Sequence, residues 1–367
     1  MGEILGLGLT HYPPLSGLDD DMAWLLRQGL ADPLVPEHAK DTGSWPERMR
    51  EEWGSDEGRS AAKTHRERLV AGFDRCRAEL DAFNPDVVLI WGDDQYENFR
   101  EDVIPPYAVL AYPDMTIKPW ANMAHSSGMD DRPNIWNEGP DTSIEVMGSP
   151  DVARRLATQL LDQGIDVAYA YKPLHHDGFA HAFLNTLLYL DYHRRGFPYP
   201  VIAFPLNCYG KLVVSNKGFA VSLGDTPAEL DPPSPPPWRF MEVGRAVARA
   251  CAESDLRVAL IASSSWSHAF ACDKTWRLQP DIAADREVYA ALANGQYDVW
   301  RDRSLAQLED SGQQELLNWF TLAGAMEELG RMKPDWSMFE ESYVFNSSKV
   351  FAAYRPGPSN VERPSAE

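Results

Sequence analysis

Asp93, Asp94, Gln95 and Glu97 follow directly on the apolar run Val87–Trp91. Carboxylates and an amide gathered behind a buried strand are suited to gripping a cation, holding a base or orienting a polar ligand. The run itself is short, β-branched at three positions and flanked by Pro85 and Gly92, so it reads as a strand buried on both faces. Gly92 frees the backbone to turn immediately before the acids. Open α/β sheets place ligands outside the carboxyl ends of their strands. A lone Gly-Asp-Asp reads more simply as a solvated turn; the recurrence of the pattern elsewhere in the chain makes it a candidate site.

Two other apolar runs end the same way. Ile4–Leu9 reads as a strand delivering Thr10 and His11, with Tyr12-Pro13-Pro14 forcing the chain out of the sheet. Imidazole is the commonest metal ligand and the usual acid or base near neutral pH. Arg257–Ala262 reads as a strand ending in Ser263-Ser264-Ser265-Trp266-Ser267-His268. Strand ends at one sheet edge converge in space however far apart they lie in sequence. His175, His176 and His181 form a further group. His175 and His176 read as loop residues, and His181 opens a helix containing Leu184, Leu187 and Leu188. For His181 a satisfied core histidine and an active-site base are equally compatible readings.

The elements that must carry these groups alternate. Leu69, Phe73, Cys76 and Leu80 recur at helical spacing within 61–83, just before the Val87 strand. A helix follows Ser149-Pro150-Asp151 and runs to about Gln163, a strand covers 165–171, and another buried strand covers 200–207. Helices are expected at 239–253, 281–292 and 313–328, and 211–222 reads as a hairpin excursion. Helix-then-strand repetition predicts an α/β fold: one large domain over 1–355, with a central, mostly parallel sheet flanked by helices. The broken, polar stretch 17–60 and the Pro-rich loops at 113–150 read as a lid, and 356–367 as a frayed tail.

Composition narrows the partners. The net charge of −21 over 367 residues argues against a nucleic-acid backbone as ligand. The 44% hydrophobic content and 12 tryptophans fit a chain with a large core. Cys76, Cys208, Cys251 and Cys272 form no CxxC pair and read as reduced thiols of a cytoplasmic protein. Ile4–Leu9 is too short for a secretory signal, and no run is long enough to suggest a membrane helix.

Taken in order, these segments resemble the class III extradiol ring-cleavage dioxygenases, the superfamily of the protocatechuate 4,5-dioxygenase catalytic subunit. The resemblance rests on Thr10-His11-Tyr12-Pro13, the Pro85-Asp86-Val87-Val88 strand with Asp94 and Phe99, and Gly178–Phe183 around His181. It continues through the 200–207 strand, Ser267-His268, Asp285-Arg286-Glu287, and Trp319 with Gly324-Ala325. It implies a ferrous ion in a facial site of two histidines and one carboxylate, open to a catecholic substrate and dioxygen. Carried over by position, it implies His11 and Glu287 as ligands and His181 as the catalytic acid and base. His268, Tyr12, Asp94 and His176 would face the substrate. Gln95 stands where the second ligand histidine is expected. Three arrangements then stay open: Gln95 is an unusual ligand; Asp94, Glu97 or His125 completes the site; or the fold is reused for metal-free binding. Asp285 reads as solvated. Relatives also assemble as dimers or with small partner subunits, so a homo-oligomer is compatible with the resemblance.

Overall fold

The computed structural model describes residues 2–122, 132–217, 223 and 229–357. Ten strands are present among them: β1 (Glu3–Leu9), β2 (Val87–Asp93), β3 (Ala108–Leu110), β4 (Met115–Ile117), β5 (Ile144–Val146), β6 (Ala168–Ala170), β7 (Val201–Leu206), β8 (Arg257–Ser263), β9 (Trp336–Glu340) and β10 (Lys349–Tyr354). Eight form a single sheet in the order β6-β3-β7-β2-β8-β1-β10-β9, and β4 and β5 pair separately. The centre of the sheet, β7-β2-β8-β1, is parallel throughout. β10 and β9 extend it antiparallel beyond β1.

The central strands are near-continuous apolar runs because both faces are covered. Their side chains divide with the period of two. Val87, Leu89 and Trp91 enter one core, and Val88 and Ile90 enter the other. Six longer helices do the covering: α1 (Arg59–Phe83), α2 (Pro150–Asp162), α3 (His181–Leu190), α4 (Pro237–Ala252), α5 (Ile282–Asn294) and α6 (Leu316–Glu328). α1 and α3 supply Leu69, Phe73, Leu184 and Leu188 to one side. α2, α4, α5 and α6 supply Leu160, Val247, Val288 and Phe320 to the other.

Two close approaches fix α6. A Cβ on Gly244 of α4 would lie 1.8 Å from the Thr321 carbonyl oxygen, and one on Gly324 of α6 would lie 2.1 Å from that of Met241. The two helices therefore meet backbone to backbone. On the sheet side, a Cβ on Gly8 would lie 2.2 Å from the Trp319 ring, which is fully buried.

The α/β fold with its mostly parallel sheet is as expected from the sequence. β9 and β10 were not anticipated. The expected hairpin at 211–222 is instead a 3-10 turn (Gly210–Leu212) and a helical turn (Val213–Asn216); residues 218–222 lie outside the described residues. The strand expected at 165–171 shortens to three residues at the sheet edge. The 17–60 stretch folds into short helices and connecting turns, with Met22, Leu26, Val35, Trp45 and Met49 buried in the α1-side core. No described helix is long and apolar enough to cross a membrane.

Candidate metal centre

The parallel strands deliver their carboxyl ends to one edge. β1 leads into His11, β2 ends at Asp93 and β8 ends at Ser263, while Glu315 stands immediately before α6. His11 is buried, with Nδ1 3.0 Å from the Ser263 carbonyl oxygen. A carbonyl only accepts, so this contact puts the imidazole proton on Nδ1 and leaves the lone pair on Nε2. Burial pushes the His11 pKa down to about 4 against the opposing pull of Asp93, so the ring is neutral.

His11 Nε2 faces two carboxylate oxygens, Asp93 Oδ1 at 3.6 Å and Glu315 Oε2 at 3.5 Å. Both oxygens are buried without a hydrogen-bond partner. The outer oxygens, by contrast, are engaged. Gln95 Nε2 donates to Asp93 Oδ2 at 2.9 Å and to Glu315 Oε1 at 3.3 Å, and the Tyr209 hydroxyl donates to Glu315 Oε1. Burial, and then the charge of Asp93, push the Glu315 carboxyl well above its ordinary range. His268 Nε2 also lies 3.5 Å from Glu315 Oε2, and burial holds this imidazole down at about 3.

His181, the first residue of α3, packs edge-on against His11 with ring centroids 5.1 Å apart. His11, Asp93 and His181 each bring one potential ligand atom to within 4.8 Å of the others. His181 Nδ1 is already taken, however, lying 2.9 Å from Glu97 Oε2. Glu97 Oε1 accepts the His181 backbone N–H at 2.9 Å. Burial works against charge on His181, but Glu97 above all, with Asp93 and Glu315, outweighs it and raises the pKa to about 10. The loop bearing Glu97 is held by Asp94, whose carboxylate accepts the backbone N–H groups of Glu97, Asn98 and Phe99. Asn98 ties that loop to the start of α3, accepting from the Ala180 N–H and donating to the Gly178 carbonyl.

The structure thus brings together His11, Gln95, His181 and His268 from the sequence-derived set. It does not bring Glu287. That side chain is 62% exposed on the outer face of α5, paired with Arg303, and shares no described contact with His11. Asp285, two residues earlier, is fully buried rather than solvated; burial raises its pKa to about 7. It accepts the Ser267 N–H and a Gln313 amide hydrogen, steadying the segment before His268. Residues two apart on a helix point to opposite sides, which is why one acid of this helix is inside and the other outside. Neither reaches the cluster; Glu315 does, and the sequence reasoning passed over it.

Tyr12 also points elsewhere. Its ring is buried beneath the Lys349 ammonium and its hydroxyl donates to the Met22 carbonyl. Asp94 is a loop organiser, and His176 is a half-buried neighbour whose charge acts on Glu97. His125 lies outside the described residues.

Comparison with known proteins agrees with this picture at the level of superfamily. Residues 230–352 match the family model for the catalytic LigB subunit of aromatic ring-opening dioxygenase. The chain is 26% identical over 192 residues to a 2,3-dihydroxyphenylpropionate/2,3-dihydroxicinnamic acid 1,2-dioxygenase 2 of Pseudomonas putida, covering 52% of this chain and 46% of that protein. It is 23% identical over 270 residues to a 2,3-dihydroxyphenylpropionate/2,3-dihydroxicinnamic acid 1,2-dioxygenase of a Rhodococcus species, covering 72% and 66%. The chain thus spans about half to two-thirds of the length of these relatives. The matches bear out the resemblance to the class III extradiol ring-cleavage superfamily.

Proposed function

We propose that this relative of the class III extradiol dioxygenases is itself a ring-cleaving dioxygenase that opens a catecholic ring in extradiol fashion at a ferrous ion. One observation carries the reading: a lone-pair nitrogen, His11 Nε2, faces two buried, unpartnered carboxylate oxygens on Asp93 and Glu315. Lone pairs on neighbouring groups repel unless a cation lies among them, so this donor set fits a divalent metal. The iron, when bound, supplies a cation for the two diol oxygens to chelate and an electron source for dioxygen.

The chain's own residues supply the rest. Glu97 fixes His181 Nδ1, so Nε2 is the atom that exchanges a proton with a substrate oxygen. His268 faces Glu315 on the other side, and its unpartnered, buried Nδ1 is suited to a polar substituent of the ring. Phe270 lies beside His268, with ring centroids 5.2 Å apart. It also lines a cavity of about 310 Å³ with Leu26, Leu278, Val344 and Trp276. Arg277 and Asn346 also line it, so this mixed polar and apolar chamber suits a substituent on the aromatic substrate.

The test is an anaerobic Fe(II) titration with metal content by mass spectrometry, followed by oxygen uptake on a panel of catechols. Near-stoichiometric iron and a yellow ring-opened product are expected. A wild-type chain that takes up no metal, or one that is loaded yet consumes no oxygen with any catechol, would end the reading.

A further inference from the structure

Gln95 stands where the superfamily resemblance asks for a second imidazole, yet the end of its side chain that faces the two acids is a donor and not a ligating oxygen. Its amide nitrogen is committed to two carboxylates at once, Asp93 Oδ2 and Glu315 Oε1. A carboxylate only accepts, so the group between the two must be the donating end of the amide. Each acid therefore has one oxygen held from behind. The other oxygen is unpartnered, buried, and turned toward His11 Nε2.

The contacts at 3.5 and 3.6 Å are too long for hydrogen bonds, and His11 Nε2 has no proton to give. Spacings of this size are normal between two ligands that each lie about 2.0–2.2 Å from a shared divalent ion. The ion pairs described for Asp93 and Glu315 involve only histidines, so no Lys or Arg serves as their counter-charge. Asp93 and Glu315 side chains are 0% and 2% exposed. Two unpartnered acid oxygens facing one lone-pair nitrogen form a donor set suited to a divalent cation. Among the described residues, only His11 pairs with both acids: His268 Nε2 lies 3.5 Å from Glu315 Oε2 alone, and His181, whose Nε2 is left free by Glu97 and which lies near enough to compete, makes no described ion pair with Asp93 or Glu315.

We infer that the metal is held by one imidazole and two carboxylates, His11 Nε2, Asp93 Oδ1 and Glu315 Oε2, with Gln95 clamping both acids from outside the metal's shell. The inference rests on the dioxygenase reading for its claim that a metal is used; the identity of the ligands is additional to it. Asp93, the last residue of β2, takes over the task of the missing histidine, and Gln95 is a positioning residue. Replacing an imidazole by a second carboxylate gives a harder set that neutralises a divalent ion. Hard oxygen donors move preference toward Mn(II) and away from zinc.

Mn(II) is the probe, because it reports its ligands by electron spin echo envelope modulation without turnover. The full chain is titrated with Mn(II) and binding is followed by electron paramagnetic resonance. A single histidine nitrogen coupling is expected in wild type. Asp93→Asn should weaken binding by about 100-fold or more, and Gln95→Leu by about 10- to 100-fold, as for outer-shell partners that orient ligands. Gln95→His should neither tighten binding nor add a nitrogen. Two nitrogen couplings in wild type would overturn the donor set, bringing in His181 or another imidazole. So would an unchanged affinity in Asp93→Asn, or a tighter site with a second nitrogen in Gln95→His. Circular dichroism of each variant separates ligand loss from misfolding, and the conservative Asp93→Glu provides a second variant that keeps the charge and should retain the single coupling. The two readings fail separately. One nitrogen with no ring opening on any catechol removes the activity and keeps the ligands; two nitrogens with ring opening does the reverse.

Discussion

Glu97 grips His181 at two points, taking the imidazole Nδ1 on one carboxylate oxygen and the backbone N–H on the other, each at 2.9 Å. The carboxylate thereby fixes both where α3 begins and how its first ring is turned. Glu97→Gln keeps the shape and removes the charge. We predict that kcat falls by about 100-fold on a catechol substrate, the order expected when an acid–base group loses its partner. The His181 titration, followed by NMR, should drop from about 10 to below the ordinary 6.5, because burial then acts with less opposition. A raised histidine pKa contributes stability in full below 6.5 and loses it as pH climbs through about 10. Denaturant titrations across that window should slope downward with pH in wild type and flatten in Glu97→Gln.

Glu315 and Glu287 separate the site from its imitation. Glu315→Ala should abolish metal uptake, since it removes one of the two unpartnered oxygens. Glu287→Ala should leave uptake unchanged and alter stability by less than about 1 kcal/mol, because its ion pair with Arg303 is largely exposed on the acid's side. Equal loss of metal in both variants would contradict this placement.

Asp285 predicts a pH dependence of the same sign as His181's, in a lower window. Its pKa is raised to about 7 by burial, so the folded chain binds its proton more tightly than the unfolded chain does. Its contribution to stability should therefore fall as pH rises from 3.8 through about 7. Asp285→Asn should remove that slope, with Gln313 turning its currently unpartnered amide oxygen toward the new amide. Asp285→Ala leaves the Ser267 N–H and the Gln313 amide without their acceptor and should cost about 1–3 kcal/mol. Urea titrations of the three proteins at several pH values provide the measurement.

Gly8→Ala would press a methyl into the Trp319 ring at 2.2 Å. The ring is buried and bonded through Nε1 to the Ser264 carbonyl, so it has little room to retreat. A loss of about 1–3 kcal/mol is expected from the overpacking. Because Gly8 is three residues from His11, Mn(II) affinity should fall as well. A variant of wild-type stability and affinity would show that the ring moves freely.

Much of the scaffold can be read from local pattern. β1, β2, β7 and β8 are apolar runs closed by turn residues, and α1 and α4 carry clear helical periodicity. Such elements announce themselves because burial on both faces or along one stripe dictates their composition. β9 and β10 do not. Trp336–Glu340 is half-buried and mixed, and its strand state comes from pairing with β10, which in turn pairs with β1. The site divides likewise. His11 and His181 stand at element ends, where position is legible. Glu315 follows Gln313 and Gln314 and looks like a polar helix start, yet it is 2% exposed. Nothing local distinguishes it from Glu287; only the docking of α6 on the sheet turns it inward. Gln95 stands beside the acids, but its commitment to two of them depends on Asp93 pointing in and Glu315 arriving from a distant segment.

The close approaches at Gly244 and Gly324 give α6 no slack along the helix it rests on. The acid at the head of α6 is consequently aimed by that helix's seat on α4, a junction closed at its other end by the Arg245–Glu327 and Arg249–Glu328 ion pairs. Grip on the cation should thus be sensitive to a methyl group inserted at Gly244 or Gly324, away from every ligand.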